Sequence, residues 1–196
     1  MEASMDNKDY FAHETAVIDE GCRIGQGCKI WHFSHIMGGA VLGEHCNIGQ
    51  NVMIATDVVL GRNVKVQNNV SLYSGVVCED DVFLGPSCVF TNVINPRSAV
   101  NRKAEFMPTL VGRGASIGAN ATIVCGNKIG AYAMIGAGTV LTKDVPPYAL
   151  VVGNPGRQIG WVSQKGQRLE LDTQGYAMCP EDQTRYRLVD GCLSLL

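Results

Sequence analysis

The chain has 196 residues, which is enough for one well-packed domain, and we predict one rather than two. Its formal charge of −2 gives no sign of a basic footprint, which argues against nucleic acid as a partner by the electrostatic criterion. Only 17% of the residues are charged, against roughly 25% in a typical soluble domain, while 23 residues are glycine. This composition predicts a β-rich chain with many tight turns, part of whose uncharged surface is covered by another chain.

The N-terminal lead-in, residues 1–13, reads MEASMDNKDYFAH and lacks the apolar core of a signal peptide. No stretch of the chain approaches the roughly 20 consecutive apolar residues of a membrane-spanning helix. We therefore expect a cytoplasmic protein with no membrane partner.

From residue 14 the sequence repeats with a period of six. An aliphatic or similar apolar residue recurs at Ile18, Ile24, Ile30, Ile36, Leu42, Ile48, Ile54, Leu60, Val66, Leu72, Cys78, Leu84 and Phe90. A period of six fits neither a helix, which repeats at 3.6, nor a long strand, which repeats at 2. It fits short strands joined by sharp turns, with three hexads closing each coil and every strand parallel to those above and below. The sequence therefore predicts an all-β solenoid.

A second column lies two positions before each aliphatic residue and carries small or β-branched side chains. Four of the eight cysteines, Cys22, Cys28, Cys46 and Cys88, belong to this column, and Cys78 takes an aliphatic position. The chain contains no CxxC pair, and disulfides are rare in cytosolic proteins. We predict that these cysteines are small buried spacers rather than cross-links.

The repeat stops after Phe90 and resumes only at Val111, well beyond the single hexad that would continue the pattern. We predict that residues of about 92–108 leave the coil as a loop. Loops of this length without structure of their own are usually functional or disordered, and this one concentrates positive charge at Arg97, Arg102 and Lys103.

The repeat continues at Val111, Ile117, Ile123, Ile129, Ile135 and Leu141. The nineteen hexads in all predict a solenoid of about six coils over residues 14–160. Residues 161–196 lack the repeat and are expected to form a cap or tail, with a strand or hairpin against the end of the solenoid.

Hexads such as IGQGCK, LGEHCN, IGANAT and IGAGTV resemble the hexapeptide repeat of the left-handed β-helix acyltransferases. The segment VLTKDVPPYALVVGNPGRQIGWV resembles the end-of-helix signature of that family, which lies beside coenzyme A. More narrowly, IWHFSHI, VQNNVSLYSGV and FTNVINPRS look like the group that N-acetylates 3-amino sugars on nucleotide carriers. The resemblance implies a left-handed parallel β-helix and a homotrimer with active sites between subunits.

The same resemblance implies a reaction and a pathway. Acetyl would move from acetyl-CoA to the 3-amino group of a UDP-linked 2-acetamido-3-amino-2,3-dideoxyglucuronate, in lipopolysaccharide O-antigen sugar biosynthesis, without a metal. The runner-up substrate is a dTDP-3-amino-6-deoxyhexose. A γ-type carbonic anhydrase on the same helix would need three zinc-binding histidines from neighbouring subunits, and the four histidines here lack its spacing. A purely structural solenoid should show a flat threonine array and no long loop.

Acetyl transfer to an amine requires a neutral nitrogen and a positioned thioester. Asn92 is the predicted catalytic residue, because it stands where the coil gives way to the loop and its amide both donates and accepts hydrogen bonds. Tyr73 should lie one layer beneath it and contact substrate. The alternatives are a turn amide for Asn92 and an interface aromatic for Tyr73.

Three further residues are predicted to bind substrate. His32 and His35 could hold a phosphate or accept a proton, although each could equally be a surface or interface histidine. Arg97 could pair with a carboxylate or phosphate, whereas Arg102 and Lys103 are interpreted as solvated charges. Asn51, Asn68 and Asn69 are interpreted as turn residues that adopt a positive φ.

For coenzyme A, the resemblance points to small residues that keep two adjacent coils slim, so that the pantetheine arm can lie along the backbone. These residues are Gly118, Ala119, Gly136 and Ala137. Lys143 and Arg157 are the candidates for binding the phosphates. Each small residue could instead be only a coil corner.

Overall fold

A computed structural model describes residues 9–196, so the first eight residues of the predicted lead-in lie outside the described part. Among the described residues nearly all regular structure is β, with one 3-10 turn at Lys103–Glu105. The strands are β1 (Phe11–Ala12), β2 (Val17–Ile18), β3 (Arg23–Ile24), β4 (Lys29–Ile30), β5 (His35–Ile36), β6 (Val41–Leu42), β7 (Asn47–Ile48), β8 (Met53–Ile54), β9 (Val59–Leu60), β10 (Lys65–Val66), β11 (Ser71–Leu72), β12 (Val76–Cys78), β13 (Phe83–Leu84), β14 (Val89–Phe90), β15 (Thr109–Val111), β16 (Ser116–Ile117), β17 (Thr122–Ile123), β18 (Lys128–Ile129), β19 (Met134–Ile135), β20 (Val140–Leu141), β21 (Ala149–Val152), β22 (Arg157–Val162), β23 (Arg168–Leu169), β24 (Tyr176–Met178), β25 (Arg185–Val189) and β26 (Cys192–Leu195).

The strands form the three faces of a prism, which confirms the predicted parallel β-solenoid. Face 1 contains β1, β4, β7, β10, β13, β16, β19 and β21, face 2 contains β2, β5, β8, β11, β14, β17 and β20, and face 3 contains β3, β6, β9, β12, β15 and β18. Neighbours in a face are parallel and three hexads apart, as in the pairing of Lys29 with Asn47. We call the corner from face 1 to face 2 the first edge, that from face 2 to face 3 the second edge, and the remaining corner the third edge. Left-handed winding stays a prediction.

The solenoid is longer than the six coils predicted, because face 1 contains eight parallel strands. At the lower end, Ala12 lies one hexad before Ile18 and already pairs with Ile30, so the stack begins within the predicted lead-in. At the upper end, Val151 pairs with Ile135 across a coil that is shorter than three hexads, a spacing that the repeat does not reveal.

The loop increases the number of residues between paired strands without changing the register of their pairing. Above it, Val77 pairs with Leu110, Phe83 with Ser116 and Val89 with Thr122, and each pair is separated by much more than the three hexads of an ordinary coil. The inserted segment therefore leaves the solenoid between β14 and β15, at the second edge.

The second residue of nearly every solenoid strand points inward, and the aliphatic column forms a continuous buried core. Cys28, Cys46, Cys78 and Cys88 are buried and unbridged, which confirms their predicted role as packing residues. Cys22, predicted to be buried with them, is also unbridged but only half-buried, because it lies near the lower end of the stack. The Cys28 thiol donates to the Gly43 carbonyl at 3.0 Å. Burial raises the pKa of the Cys88 thiol to about 12 and also raises the pKa of Cys78, so both thiols remain protonated at neutral pH.

One residue in nearly every hexad turn has a positive φ, the conformation that glycine and asparagine tolerate best. Asn51 (φ 57°) and Asn69 (φ 61°) confirm this part of the prediction. Asn68 does not have a positive φ, so the interpretation of this residue was wrong. Its Oδ1 instead accepts a hydrogen bond from the Gln50 backbone N–H of the coil below at 2.8 Å.

Beyond the solenoid, β21 turns back into β22 and β23 as an antiparallel extension of face 1. Strands β24, β25 and β26 form a separate antiparallel sheet. A small second core, centred on the fully buried Tyr186, packs beneath this sheet. Within residues 9–196 no helix has the length and apolar character needed to cross a membrane.

Candidate functional site

The four small residues among the predicted coenzyme A residues lie at the upper part of the first edge. Gly118 and Ala119 stack directly below Gly136 and Ala137, because Ile117 pairs with Ile135 in adjacent coils. A Cβ on Gly118 would lie 2.5 Å from the Ala137 backbone nitrogen, so the coil above requires glycine at this position. A Cβ on Gly136 would have its closest contact, at 2.8 Å, with the Val152 side chain. The four residues form a narrow track, which we call the small-residue track.

The hairpin from β21 to β22 folds over the top of this track. The Gly156 N–H donates to the Val140 carbonyl at 2.8 Å, which fixes the turn on the solenoid. The exposed side chains of Lys143 and Arg157 are brought together on one cavity of about 350 Å³, with Asp144 also in its wall. Lys143 follows β20 on the second edge, and Arg157 lies in the hairpin above face 1. The two cations can bind phosphate groups at the upper end of the solenoid.

Asn92 lies at the base of the loop. Its carbonyl accepts a hydrogen bond from the Met107 N–H at 2.9 Å, which closes the neck of the loop. Within the described part of the chain its half-buried side-chain amide makes no hydrogen bond. The pairing of Ser71 with Val89 puts Tyr73, which is 42% exposed, one layer below Thr91. The amide and the phenol therefore lie near one another on the second edge.

The loop encloses a cavity of about 360 Å³ lined by Arg97, Arg102 and Lys103 together with apolar residues. Arg102 differs from the solvated charge expected, because its Nη1 lies 2.9 Å from both carboxylate oxygens of Glu105. Arg97 donates only to its neighbouring Pro96 carbonyl at 3.2 Å. The Arg97 guanidinium is therefore exposed and has no acidic partner among residues 9–196.

The two histidines of the IWHFSHI motif have different surroundings. His32 is on the first edge and stacks on His13 with ring centroids 3.5 Å apart. His35 is on face 2, where its Nε2 lies 3.1 Å from Asp19 Oδ1. This contact lowers the pKa of the Asp19 carboxyl, so ionised Asp19 stabilises the fold above the usual aspartate pKa and loses that effect as the pH falls through the lowered one.

The structure thus divides most of the predicted site residues between two edges, with His35 between them on face 2. Asn92, Tyr73 and Arg97 belong to the second edge and its loop, whereas His32 and the small-residue track belong to the first edge. Trp31, which shares a cavity with His32, was not predicted as a site residue. The three-hexad spacing of the sequence could have identified Trp31, because it aligns this residue with residues of the coils above on the same edge. Within the described chain no three histidine, cysteine or acidic side chains are arranged to hold a metal ion.

Two descriptions of repeat families match the chain. Residues 21–56 match the bacterial transferase hexapeptide (six repeats), and residues 39–74 and 108–143 match the hexapeptide repeat of succinyl-transferase. All three matched regions lie within the solenoid.

One curated relative covers almost the whole chain. The dTDP-3-amino-3,6-dideoxy-α-D-galactopyranose 3-N-acetyltransferase of Aneurinibacillus thermoaerophilus is 45% identical over 194 residues, 98% of each chain. The matched region therefore includes the loop and the C-terminal sheet as well as the repeats.

Solved structures share the solenoid. A hexapeptide-repeat acetyltransferase from Vibrio cholerae O1 biovar eltor, complexed with acetyl coenzyme A, is 26% identical with a TM-score of 0.56, over 64% of this chain and 72% of that one. A mutant N-acyltransferase from Bacillus cereus, in complex with dTDP and coenzyme A, is 17% identical with a TM-score of 0.54, over 79% and 81% of the two chains. The second likeness concerns the fold alone.

Proposed function

The chain belongs to the bacterial transferases built from hexapeptide repeats, and we propose that it acetylates the 3-amino group of a nucleotide-linked sugar. It is an acetyl-CoA-dependent nucleotide-sugar N-acetyltransferase. The observation that carries the proposal is the 45% identity to a 3-N-acetyltransferase over 98% of both chains. The matched region spans the loop and both edges of the candidate site and not only the repeats.

In the reaction the amine nitrogen attacks the thioester carbonyl, a C–N bond forms and the C–S bond breaks. The nitrogen loses a proton and coenzyme A leaves as the thiol. A sugar amine with a pKa near 8, similar to an α-amino group, is about one-fifth neutral at pH 7.4, which costs only about 1 kcal/mol. A strong protein base is therefore unnecessary, and a group that orients the amine is sufficient.

Asn92 is the group that we assign to this role. Its unbonded amide stands at the neck of the loop, where its oxygen can accept a hydrogen bond from the amine and so aim the nitrogen lone pair. Tyr73 lies one layer below and can contact the sugar. The small-residue track would hold the pantetheine arm, and Lys143 and Arg157 would bind the phosphates of coenzyme A.

For the substrate itself we propose the UDP-linked 2-acetamido-3-amino-2,3-dideoxyglucuronate, an O-antigen precursor of lipopolysaccharide that would be acetylated in the cytoplasm. The supporting feature is Arg97, whose guanidinium has no acidic partner among the described residues and can form two parallel hydrogen bonds to a carboxylate. The second candidate is a dTDP-3-amino-6-deoxyhexose, which the name of the 45% identical relative favours.

We further propose a homotrimer with active sites between subunits. In the middle layers of face 3 the outward side chains are Val41, Val59, Val77 and Leu110, and an apolar stripe of this kind is typical of a contact surface. A closed ring would also let the loop of one chain approach the first edge of the next. The separation of the predicted site residues between two edges supports such a shared site.

The decisive experiment measures thiol release from acetyl-CoA against a panel of UDP- and dTDP-linked 3-amino sugars. We expect rapid release with 3-amino sugars and none with 3-hydroxy analogues; release that does not depend on the amine would contradict the proposal. The Arg97→Ala variant separates the two candidates, since it should weaken use of the uronate selectively while Arg97→Lys retains part of it. Equal losses with uronate and 6-deoxy substrates would contradict the role of Arg97.

A further inference from the structure

The first edge of the solenoid changes character halfway along its length. We count layers upward from β1 and compare the first two residues that follow each strand of face 1. In the fifth, sixth and seventh layers these two positions contain only glycine, alanine and proline: Gly85, Pro86, Gly118, Ala119, Gly136 and Ala137. In the three layers below, the same two positions contain Trp31, His32, Gly49, Gln50, Gln67 and Asn68. The small-residue track therefore lies in one half of the edge, and rings and carboxamides occupy the other half.

The aromatic part of the lower half is held rigidly. Trp31 is 37% exposed, and its Nε1–H donates to Asn47 Oδ1 at 2.9 Å, which fixes the indole orientation. Phe11 packs against the Trp31 ring at a centroid distance of 5.4 Å, and His13 covers one face of His32. These contacts preorganise an exposed aromatic surface.

The carboxamides beside these rings are available to a ligand. A cavity of about 290 Å³ is lined by Trp31 and His32 together with Gln50 and Gln67. Asn68 also contributes, but its Oδ1 is occupied by the Gln50 backbone N–H. In the described structure the Gln50 and Gln67 side chains make no hydrogen bond, so each offers a free donor and a free acceptor.

We infer that this lower half of the first edge binds the nucleobase of the nucleotide sugar, an inference that rests on the proposed function. Bases are recognised by stacking on aromatic rings and by hydrogen bonds to their edges, and the cavity offers both. Its volume lies at the lower end of the range for ligand pockets, as suits a single ring system. The Gln50 and Gln67 layers lie about 5–10 Å below the level of the loop, a distance that ribose and diphosphate can span.

The test measures nucleotide binding separately from turnover, in the full-length protein. Trp31→Ala and Gln67→Ala should each weaken the binding of UDP and dTDP, Trp31→Ala by roughly 5- to 100-fold as expected for the loss of a stacked base. The matched control is Gln26→Ala, an exposed glutamine on the third edge, which should leave nucleotide affinity unchanged. Acetyl-CoA affinity should stay the same in all three variants, because the small-residue track is untouched.

A fluorescence measurement tests the same inference without the Trp31→Ala variant. The chain has only two tryptophans, so Trp161→Phe leaves Trp31 as the sole indole, and its fluorescence should be quenched saturably by UDP or dTDP but not by inorganic pyrophosphate. Unchanged nucleotide affinity in folded Gln67→Ala and Trp31→Ala would overturn the inference. If Trp31→Ala does not fold, Trp31→Leu, which also removes the ring, takes its place in this comparison. Absence of quenching would also overturn the inference.

The outcomes also separate this inference from the proposed function. A protein that binds UDP or dTDP through Trp31 but acetylates no amino sugar would retain the nucleobase site and contradict the function. A protein that acetylates amino sugars while the variants keep full nucleotide affinity would retain the function and contradict the nucleobase site.

Discussion

Asn92 differs from its polar neighbours in having an amide that the fold does not use. The neighbouring Thr91 hydroxyl accepts the Cys125 N–H at 3.0 Å, and the Asn92 backbone carbonyl accepts the Met107 N–H. These two bonds position the Asn92 backbone between the coil and the loop. The side chain is then held by its own backbone and can serve the substrate amine.

Asn92→Ala should therefore leave the fold intact and lower kcat by roughly two orders of magnitude, as the loss of one positioned catalytic hydrogen-bonding group does. Steady-state kinetics with acetyl-CoA and the accepted amino sugar would measure this effect, with thermal unfolding as the check on folding. Asn95→Ala is the matched control, since Asn95 is an exposed asparagine in the same loop. Unchanged turnover in Asn92→Ala would refute a direct role.

Individual residues also show which features the sequence predicts and which it does not. The hexad identifies inward positions such as Cys78 because burial depends on local periodicity. The ion pair between Arg102 and Glu105 and the bond from Gln50 to Asn68 depend on side-chain geometry and on the stacking of coils. The amino-acid composition of the turns therefore does not predict either contact.

Among the structural elements, the corner glycines have two separate reasons to be small. The Gly118 position is crowded by the backbone of the coil above, which cannot move without shifting the stack. The Gly136 position is crowded by the Val152 side chain, which can rotate. The two positions therefore allow the stacking role to be measured apart from the ligand role.

We expect Gly118→Ala to lower the free energy of unfolding by about 1–3 kcal/mol, because an added methyl group overpacks the contact between coils. Gly136→Ala should cost less stability yet still weaken acetyl-CoA binding, if the pantetheine arm lies against this track. Denaturant unfolding and acetyl-CoA titration measure the two effects. Normal acetyl-CoA affinity in Gly136→Ala would argue that the track serves only coil stacking.

The loop is an insertion that the solenoid does not need. Removing residues 93–107 restores the three-hexad spacing between β12 and β15, and Pro108→Gly supplies the positive φ found at the equivalent Gly75. This shortened protein should keep its β-sheet circular dichroism and its affinity for acetyl-CoA. Acetyl transfer should be lost, because the Arg97 cavity is gone; substantial transfer by the shortened protein would place the chemistry elsewhere.

At the scale of the whole molecule, the sequence predicts the solenoid well because each coil contacts only its neighbours and repeats the same local solution. It predicts the two ends less well. Val151 enters face 1 after a shortened coil, and Tyr186 packs in a second core whose strands carry no hexad pattern. These parts depend on contacts that are not periodic.

The arrangement of the edges in the whole molecule determines whether one chain can contain a complete site. The second edge carries Asn92 and the loop, the first edge carries the small-residue track, and face 2 separates them. In a closed trimer the two edges of different subunits can meet at the same height. A shared site therefore accounts for both halves of the predicted machinery.

Mixing two inactive variants tests this arrangement. Asn92→Ala removes the loop function, and Ala137→Trp should block the small-residue track of the first edge. In trimers reassembled from equal amounts of both, a site with a functional loop and a functional edge should arise at about one-quarter of the interfaces, so about one-quarter of wild-type activity should return. Sedimentation of the unmodified protein should give three times the mass of the chain. Recovery of no activity from verified mixed trimers would mean that each site is built from one chain, and a monomer in sedimentation would contradict the trimer itself.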